Sequence, residues 1–203
     1  MRKVIITLGR EFGSGGREIG KKLAERLEIP FFDKEIIRKA AEDSGIVESV
    51  MDYYDEHRSS PIFSSGSILY DIYQMPMSDR VYLEQCKAIK DIASKGGCVI
   101  VGRCADMVLE NNPALLRVFI CADMKDKVER KRAVEPNKTD QQLEAHIRGV
   151  DKKRAKYYSY YTDKKWGEAR QYDLCLNSSL LGIDETVNLI IEAAEKLEAK
   201  LNK

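Results

Sequence analysis

The chain has 203 residues, with 34 basic and 33 acidic side chains and a formal net charge of +1. That length suits one α/β domain with a substantial core, or a core carrying a smaller insertion, and leaves little room for two independent domains. A net charge so close to zero argues against a broad nucleic-acid-binding or membrane-binding surface, so any charged site has to be local. The five cysteines, Cys86, Cys98, Cys104, Cys121 and Cys175, are scattered without a C-x-x-C pair, which speaks against a disulfide framework or a thiolate metal site. The opening residues carry too few apolar side chains for a secretion signal, and no run approaches membrane-spanning length. The expectation is a cytoplasmic protein with reduced thiols.

In chain order, residues 4–8 form a short β-branched run that reads as a buried strand. A glycine-rich turn follows, and from Arg17 the period changes: Ile19, Leu23, Ala24 and Leu27 recur at helical spacing. A tight turn from strand to helix gathers unpaired amides and the positive end of a helix dipole at one point, which attracts phosphate. Glycine lets successive N–H groups converge on an anion. The usual P-loop, G-x-x-x-x-G-K-[ST], is altered here. With Gly15 as the last glycine, Gly16 stands at the lysine position, Arg17 at the Ser/Thr position and Arg10 at the first glycine position. Arg17 is therefore the first candidate for the missing cation and Arg10 the second, and Ser14 is the nearby hydroxyl for magnesium. The alternative is a packed connection with no ligand.

Residues 29–32 form a second strand leading to Asp33, which reads as a helix N-cap, a ligand contact at a strand end, or both. A helix is expected over 34–43. Periodicity then weakens from 47 to 79, and the serine-rich stretch 59–67 reads as a flap or a poorly ordered loop. A helix over 80–94 ends at Gly96-Gly97, and a buried strand runs from 98 into Gly102-Arg103. Arg103 needs an acidic partner, such as Asp106, or a phosphate. Residues 115–123 form another parallel-type strand, followed by a charged helix over 125–132. Thr139 and Gln142 make a capping box for a helix over 139–161, whose basic residues and tyrosines read as a packed helix with a solvated face rather than a nucleic-acid site. A strand at 173–177 and a helix at 184–201 close the pattern.

Five strands alternating with helices predict a parallel, doubly wound sheet, with the glycine turn at its carboxyl edge among Asp33, Arg103 and the basic region 130–154. Four runs carry a family resemblance: ITLGREFGSGGREIG at 6–20, PFFDKEII at 30–37, VIVGR at 99–103 and YDLCLNSS at 172–179. In that order they are similar to the cytidylate kinase-like family of P-loop kinases. The resemblance implies a single kinase-like domain over 1–203, an acceptor-binding helical insertion at 45–97 and an arginine-rich lid at 124–166. It implies transfer of the terminal phosphoryl group of ATP, with Mg2+, to a pyrimidine nucleoside monophosphate such as CMP. The amides of Gly13, Ser14, Gly15, Gly16 and Arg17, with Arg10, would hold the donor phosphates. Arg17, Arg130, Arg132, Arg148 and Arg154 would close on the transferring group. Asp33, Arg38, Lys39, Arg103 and Asp151 would meet the acceptor. Cys104 stands where true cytidylate kinases carry an aspartate after the arginine. A nucleotide-sensing module without catalysis, and a kinase with a non-nucleotide acceptor, are the alternative readings. The expected partners are small-molecule nucleotides, with no nucleic acid and no membrane, and the oligomeric state is open.

Overall fold

The computed structural model describes residues 2–33 and 76–202. Among them, five strands form one all-parallel sheet: β1 (Ile5–Arg10), β2 (Phe31–Phe32), β3 (Cys98–Val101), β4 (Leu115–Cys121) and β5 (Leu174–Asn177), in the order β2-β3-β1-β4-β5. The central strand, β1, pairs Ile5 with both Cys98 and Leu115. A parallel strand with neighbours on both sides is covered on both faces, so Val4, Ile5, Ile6 and Leu8 are all buried and the sequence shows a run rather than an alternation.

Two helices cover one face. α1 (Gly16–Leu27) buries Ile19, Leu23, Ala24 and Leu27, one helical stripe, against Ile6, Leu8, Val99, Val101, Val118 and Ile120. Val187, Ile190 and Ala194 join the same core. They belong to the closing helix (Ser178–Leu201), which starts six residues earlier than its periodicity suggests. Asn177 caps that start by accepting from the Ser179 amide at 2.9 Å, and the helix is interrupted at Gly182 (φ 72°, ψ 173°). Each aliphatic side chain taken from water in this layer contributes about 1.5–3 kcal/mol.

The other helices, in chain order, are α2 (Met77–Ser94), α3 (Ala105–Val108), α4 (Met124–Arg132) and α5 (Asp140–Thr162), which makes the closing helix α6. The Pro76 carbonyl accepts from the Asp79 amide at 2.9 Å, which starts α2 ahead of the expected residue 80. The Thr139 capping box is present, with Thr139 Oγ1 accepting from the Gln142 amide at 3.3 Å and Gln142 Oε1 from the Thr139 amide at 2.9 Å. Val128 of α4 and Leu143 and Ile147 of α5 form a second small core with Phe12 and Met124. The chain divides into two compact units, Met1–Asp33 with Ile92–Lys203, and Lys34–Asp91. The sheet and the glycine turn belong to the first. The expected helix at 34–43, the serine-rich stretch 59–67, and Arg38 and Lys39 lie outside the described residues.

Candidate active site

The turn from β1 to α1 is built by its own backbone. The Glu11 amide continues the sheet onto the Ile120 carbonyl at 3.0 Å, and both the amide and the hydroxyl of Ser14 donate back to the Glu11 carbonyl, at 3.3 and 2.8 Å. Gly13 (φ 83°) and Gly15 (φ 78°) take left-handed backbone that side chains resist. The Ile19 amide makes the first helical bond, to the Gly15 carbonyl at 3.0 Å. Gly16, Arg17 and Glu18 therefore present amides that helix geometry leaves without an intrahelical acceptor, at the positive end of α1.

Surrounding elements clamp this turn. Arg154 donates to the Arg10 carbonyl at 2.9 Å, Asp151 accepts from the Phe12 amide at 2.7 Å, Arg130 donates to the Gly13 carbonyl at 3.2 Å and Ser178 donates to the Ser14 carbonyl at 2.7 Å. Beneath it lies Lys127, only 5% exposed, with its ammonium 2.5 Å from Glu11 and 3.8 Å from Asp151. Glu11 also accepts from the Ala122 amide at 3.1 Å. Burial raises the pKa of Asp151 even though Lys127 and Arg154 oppose the rise.

Above the turn, guanidinium groups crowd the carboxyl ends of β1 and β3. After β3 the chain runs through three consecutive left-handed residues, Gly102 (φ 80°), Arg103 (φ 59°) and Cys104 (φ 55°). For the latter two this costs about 1–2 kcal/mol each, and such strain gathers at ligand sites. Asp33 bonds Arg17 Nε at 2.7 Å and stands 4.0 Å from Arg10. Burial, the Arg154 charge and, more weakly, Arg103 push the Arg10 pKa down to about 9, against the opposing pull of Asp33 and Asp151. Arg10 is thus still cationic at neutral pH. Burial likewise lowers the pKa of Arg154, with Arg103 adding like-charge repulsion.

Most of the residues read from the sequence meet at this place: Arg10, Gly13, Ser14, Gly15, Gly16, Arg17, Asp33, Arg103, Arg130, Asp151 and Arg154. Two do not. Arg132 pairs with Asp140 at 2.5 Å, and Arg148, on the outer face of α5, pairs with Glu144 at 3.7 Å. Arg17 is largely exposed, its Nε committed to Asp33. Asp106 accepts the Tyr158 hydroxyl at 2.7 Å. Ser14 fits a magnesium ligand poorly, because it is fully buried and its hydroxyl is turned onto the Glu11 carbonyl. Among the described residues no group of three or more His, Cys, Asp or Glu is placed to hold a metal. Lys127, Glu11 and Ser178 are the residues that sequence reasoning missed. Lys127 left one signal: with Met124, Val128 and Lys131 it shares the inward face of α4, where a cation is out of place.

Comparison with known proteins decides the family. The model of the cytidylate kinase-like family matches residues 5–180. The chain belongs to the cytidylate kinase-like family. Among solved structures, an uncharacterized protein from Eubacterium ventriosum ATCC 27560 is 29% identical at a TM-score of 0.73, with 95% of this chain and 99% of that one covered. Shikimate kinase from Bacteroides thetaiotaomicron (17% identity, TM-score 0.56, coverage 95% and 98%) and a gluconokinase from Sinorhizobium meliloti 1021 (16%, 0.54, 100% and 98%) share the fold. No curated protein matches the chain. The fold of this family member is therefore that of P-loop kinases. No helix among the described residues is long and apolar enough to cross a membrane.

Proposed function

We propose that this member of the cytidylate kinase-like family is a phosphotransferase that moves the terminal phosphoryl group of ATP to a pyrimidine nucleoside monophosphate such as CMP. The observation that carries the reading is the gathering of Arg10, Arg103 and Arg154 beside the open amides of Gly16 and Arg17. In the reaction the bond from the γ-phosphorus to the bridging oxygen breaks, and ADP leaves with the electron pair. A phosphate oxygen of the acceptor forms the new P–O bond. Such a transfer has a loose transition state with charge on peripheral oxygens, so it asks the protein mainly for alignment and positive charge. The α1 amides would receive donor phosphate oxygens, and Arg103 and Arg154 would steady the acceptor phosphate and the moving group. Asp33 now bonds Arg17, so an incoming phosphate competes with a carboxylate for that guanidinium. Magnesium would arrive with ATP, held by phosphate oxygens and water.

The test is initial-rate phosphotransfer with MgATP across CMP, dCMP, UMP, AMP and a non-nucleotide hydroxy acid, alongside calorimetry of MgATP binding. Transfer to CMP or a close pyrimidine relative is the expected result. ATP binding without transfer to any acceptor would make the chain a sensing module, and transfer only to the hydroxy acid would change the acceptor class.

A further inference from the structure

Against the usual P-loop motif, a basic residue and a glycine stand exchanged: Arg10 at the first glycine position and Gly16 at the lysine position. A Cβ added at Gly16, where the usual motif has its lysine, would lie 2.6 Å from the Cβ and 3.0 Å from the Cγ of Arg10. Arg10 itself occupies the motif's first glycine position. Further along the same side chain, a Cβ added at Gly102 would lie 2.0 Å from Arg10 Nη1 and 3.0 Å from its Cζ. Two glycines from different elements thus make the slot through which Arg10 passes, one against its stem and one against its head. A stem starting at β1 and a lysine stem starting at α1 cannot fill the same space together, so the absence of a side chain at residue 16 accompanies the presence of one at residue 10.

Among the described residues, the head of Arg10 is short of acceptors. Its side chain is only 22% exposed, its distance to the Asp33 carboxylate is 4.0 Å, and among the described residues no acceptor lies within hydrogen-bond reach of its guanidinium. A guanidinium has five donors and keeps its charge, and a largely buried cation without bonded partners is costly. Arg103 and Arg154 add further positive charge nearby. The chemistry that completes such a group is an anion with several oxygens, delivered where the α1 amides also point.

We infer that Arg10, not Arg17, is the catalytic cation on the terminal phosphate of the donor nucleotide, reaching from the end of β1 the place that the P-loop lysine reaches from the start of α1. The inference deepens the phosphotransferase reading and rests on it for its rate measurements. Arg17, exposed and bonded to Asp33, then serves the rim of the site.

The test exchanges the two residues back. Arg10→Gly alone removes the cation, and Gly16→Lys alone forces two stems into one space; each is expected to lower turnover about 10³-fold, the scale of a lost transition-state cation. The double variant Arg10→Gly/Gly16→Lys restores the ordinary arrangement and is expected to run at least tenfold faster than either single variant. A folded double variant no faster than the slower single one overturns the assignment. Arg10→Ala supplies a second measurement: it is expected to weaken MgATP at least tenfold more than MgADP by calorimetry, with Arg17→Ala keeping the wild-type ratio. An unchanged ratio in Arg10→Ala, or the larger change in Arg17→Ala, overturns it as well. If the wild-type protein binds MgATP and transfers to no acceptor, the transfer reading fails while the ATP-to-ADP ratio still decides the role of Arg10.

Discussion

Replacing Lys127 by methionine separates the support of the glycine turn from the chemistry above it. Methionine nearly matches the lysine stem in volume but leaves the carboxylates of Glu11 and Asp151, 2.5 and 3.8 Å from the ammonium, facing each other without the cation between them. Removing one partner from a buried ionic group costs about 3–5 kcal/mol. At about 2–4 °C per kcal/mol for a domain of this size, melting should fall by about 6–20 °C at pH 7. The dependence on pH should steepen. Asp151 already has a raised pKa from burial, and Lys127 is one of the charges opposing the rise. Without that ammonium the pKa climbs further. Between the unfolded value near 3.9 and the raised folded value, the native variant then holds more protons than its unfolded chain, so its stability falls as pH rises, by up to about 1.4 kcal/mol per pH unit. Thermal unfolding of wild-type and Lys127→Met protein from about pH 4, the unfolded carboxylate value, to pH 8 measures both effects. A variant melting within about 2 °C of wild type at pH 7, or one whose deficit does not grow as pH rises out of the ordinary carboxylate range, would refute the reasoning.

Gly102→Ala should move the Arg10 head by about 1.5 Å to regain van der Waals distance, and a misplacement of that order costs about 100-fold in turnover. Its left-handed backbone adds about 1–2 kcal/mol of instability, and wild-type turnover in a folded variant would contradict the slot. Arg154→Ala removes the bond to the Arg10 carbonyl and should lower kcat/KM at least 100-fold, whereas Arg148→Ala, on the outer face of α5, should stay within about twofold. Equal losses in steady-state assays would show that the outer face takes part. At the edge of the sheet, burial pulls the Asp173 pKa up, but the bonds from the Arg117 amide and guanidinium more than offset it and hold the carboxyl below its ordinary value. The pair therefore stabilises above the unfolded carboxylate range and loses that contribution as pH falls through the lower folded value. Asp173→Asn, at a partly exposed site, should cost about 0.5–1 kcal/mol at pH 7. The gap between the two melting curves should narrow as pH falls below the ordinary carboxylate range, and a gap that stays constant or widens on acidification would contradict the pairing.

The fold was legible because it is written in local periods. Buried parallel strands appear as runs, α1 as a stripe from Ile19 to Leu27, and the Thr139 capping box states its own hydrogen bonds. Boundaries moved where a cap lay outside the periodic stretch, as at Asn177 and Pro76. The inward face of α5 was readable in principle: Leu143, Ile147, Asp151, Arg154 and Tyr158 follow one another at three and four residues, which puts Arg154 inward and Arg148 outward.

By itself, then, the sequence determined a strand, a glycine turn and a helix whose free amides suit phosphate, within a parallel α/β sheet, because those features depend on neighbours close in the chain. Only the tertiary structure decided which side chain lies against Gly16. A long side chain takes its direction from whatever lies across from it. Arg10 is steered by Gly16 and by Gly102, 92 positions further along the chain, Arg17 is drawn off by Asp33, and Lys127 is held under the turn by Glu11 and Asp151.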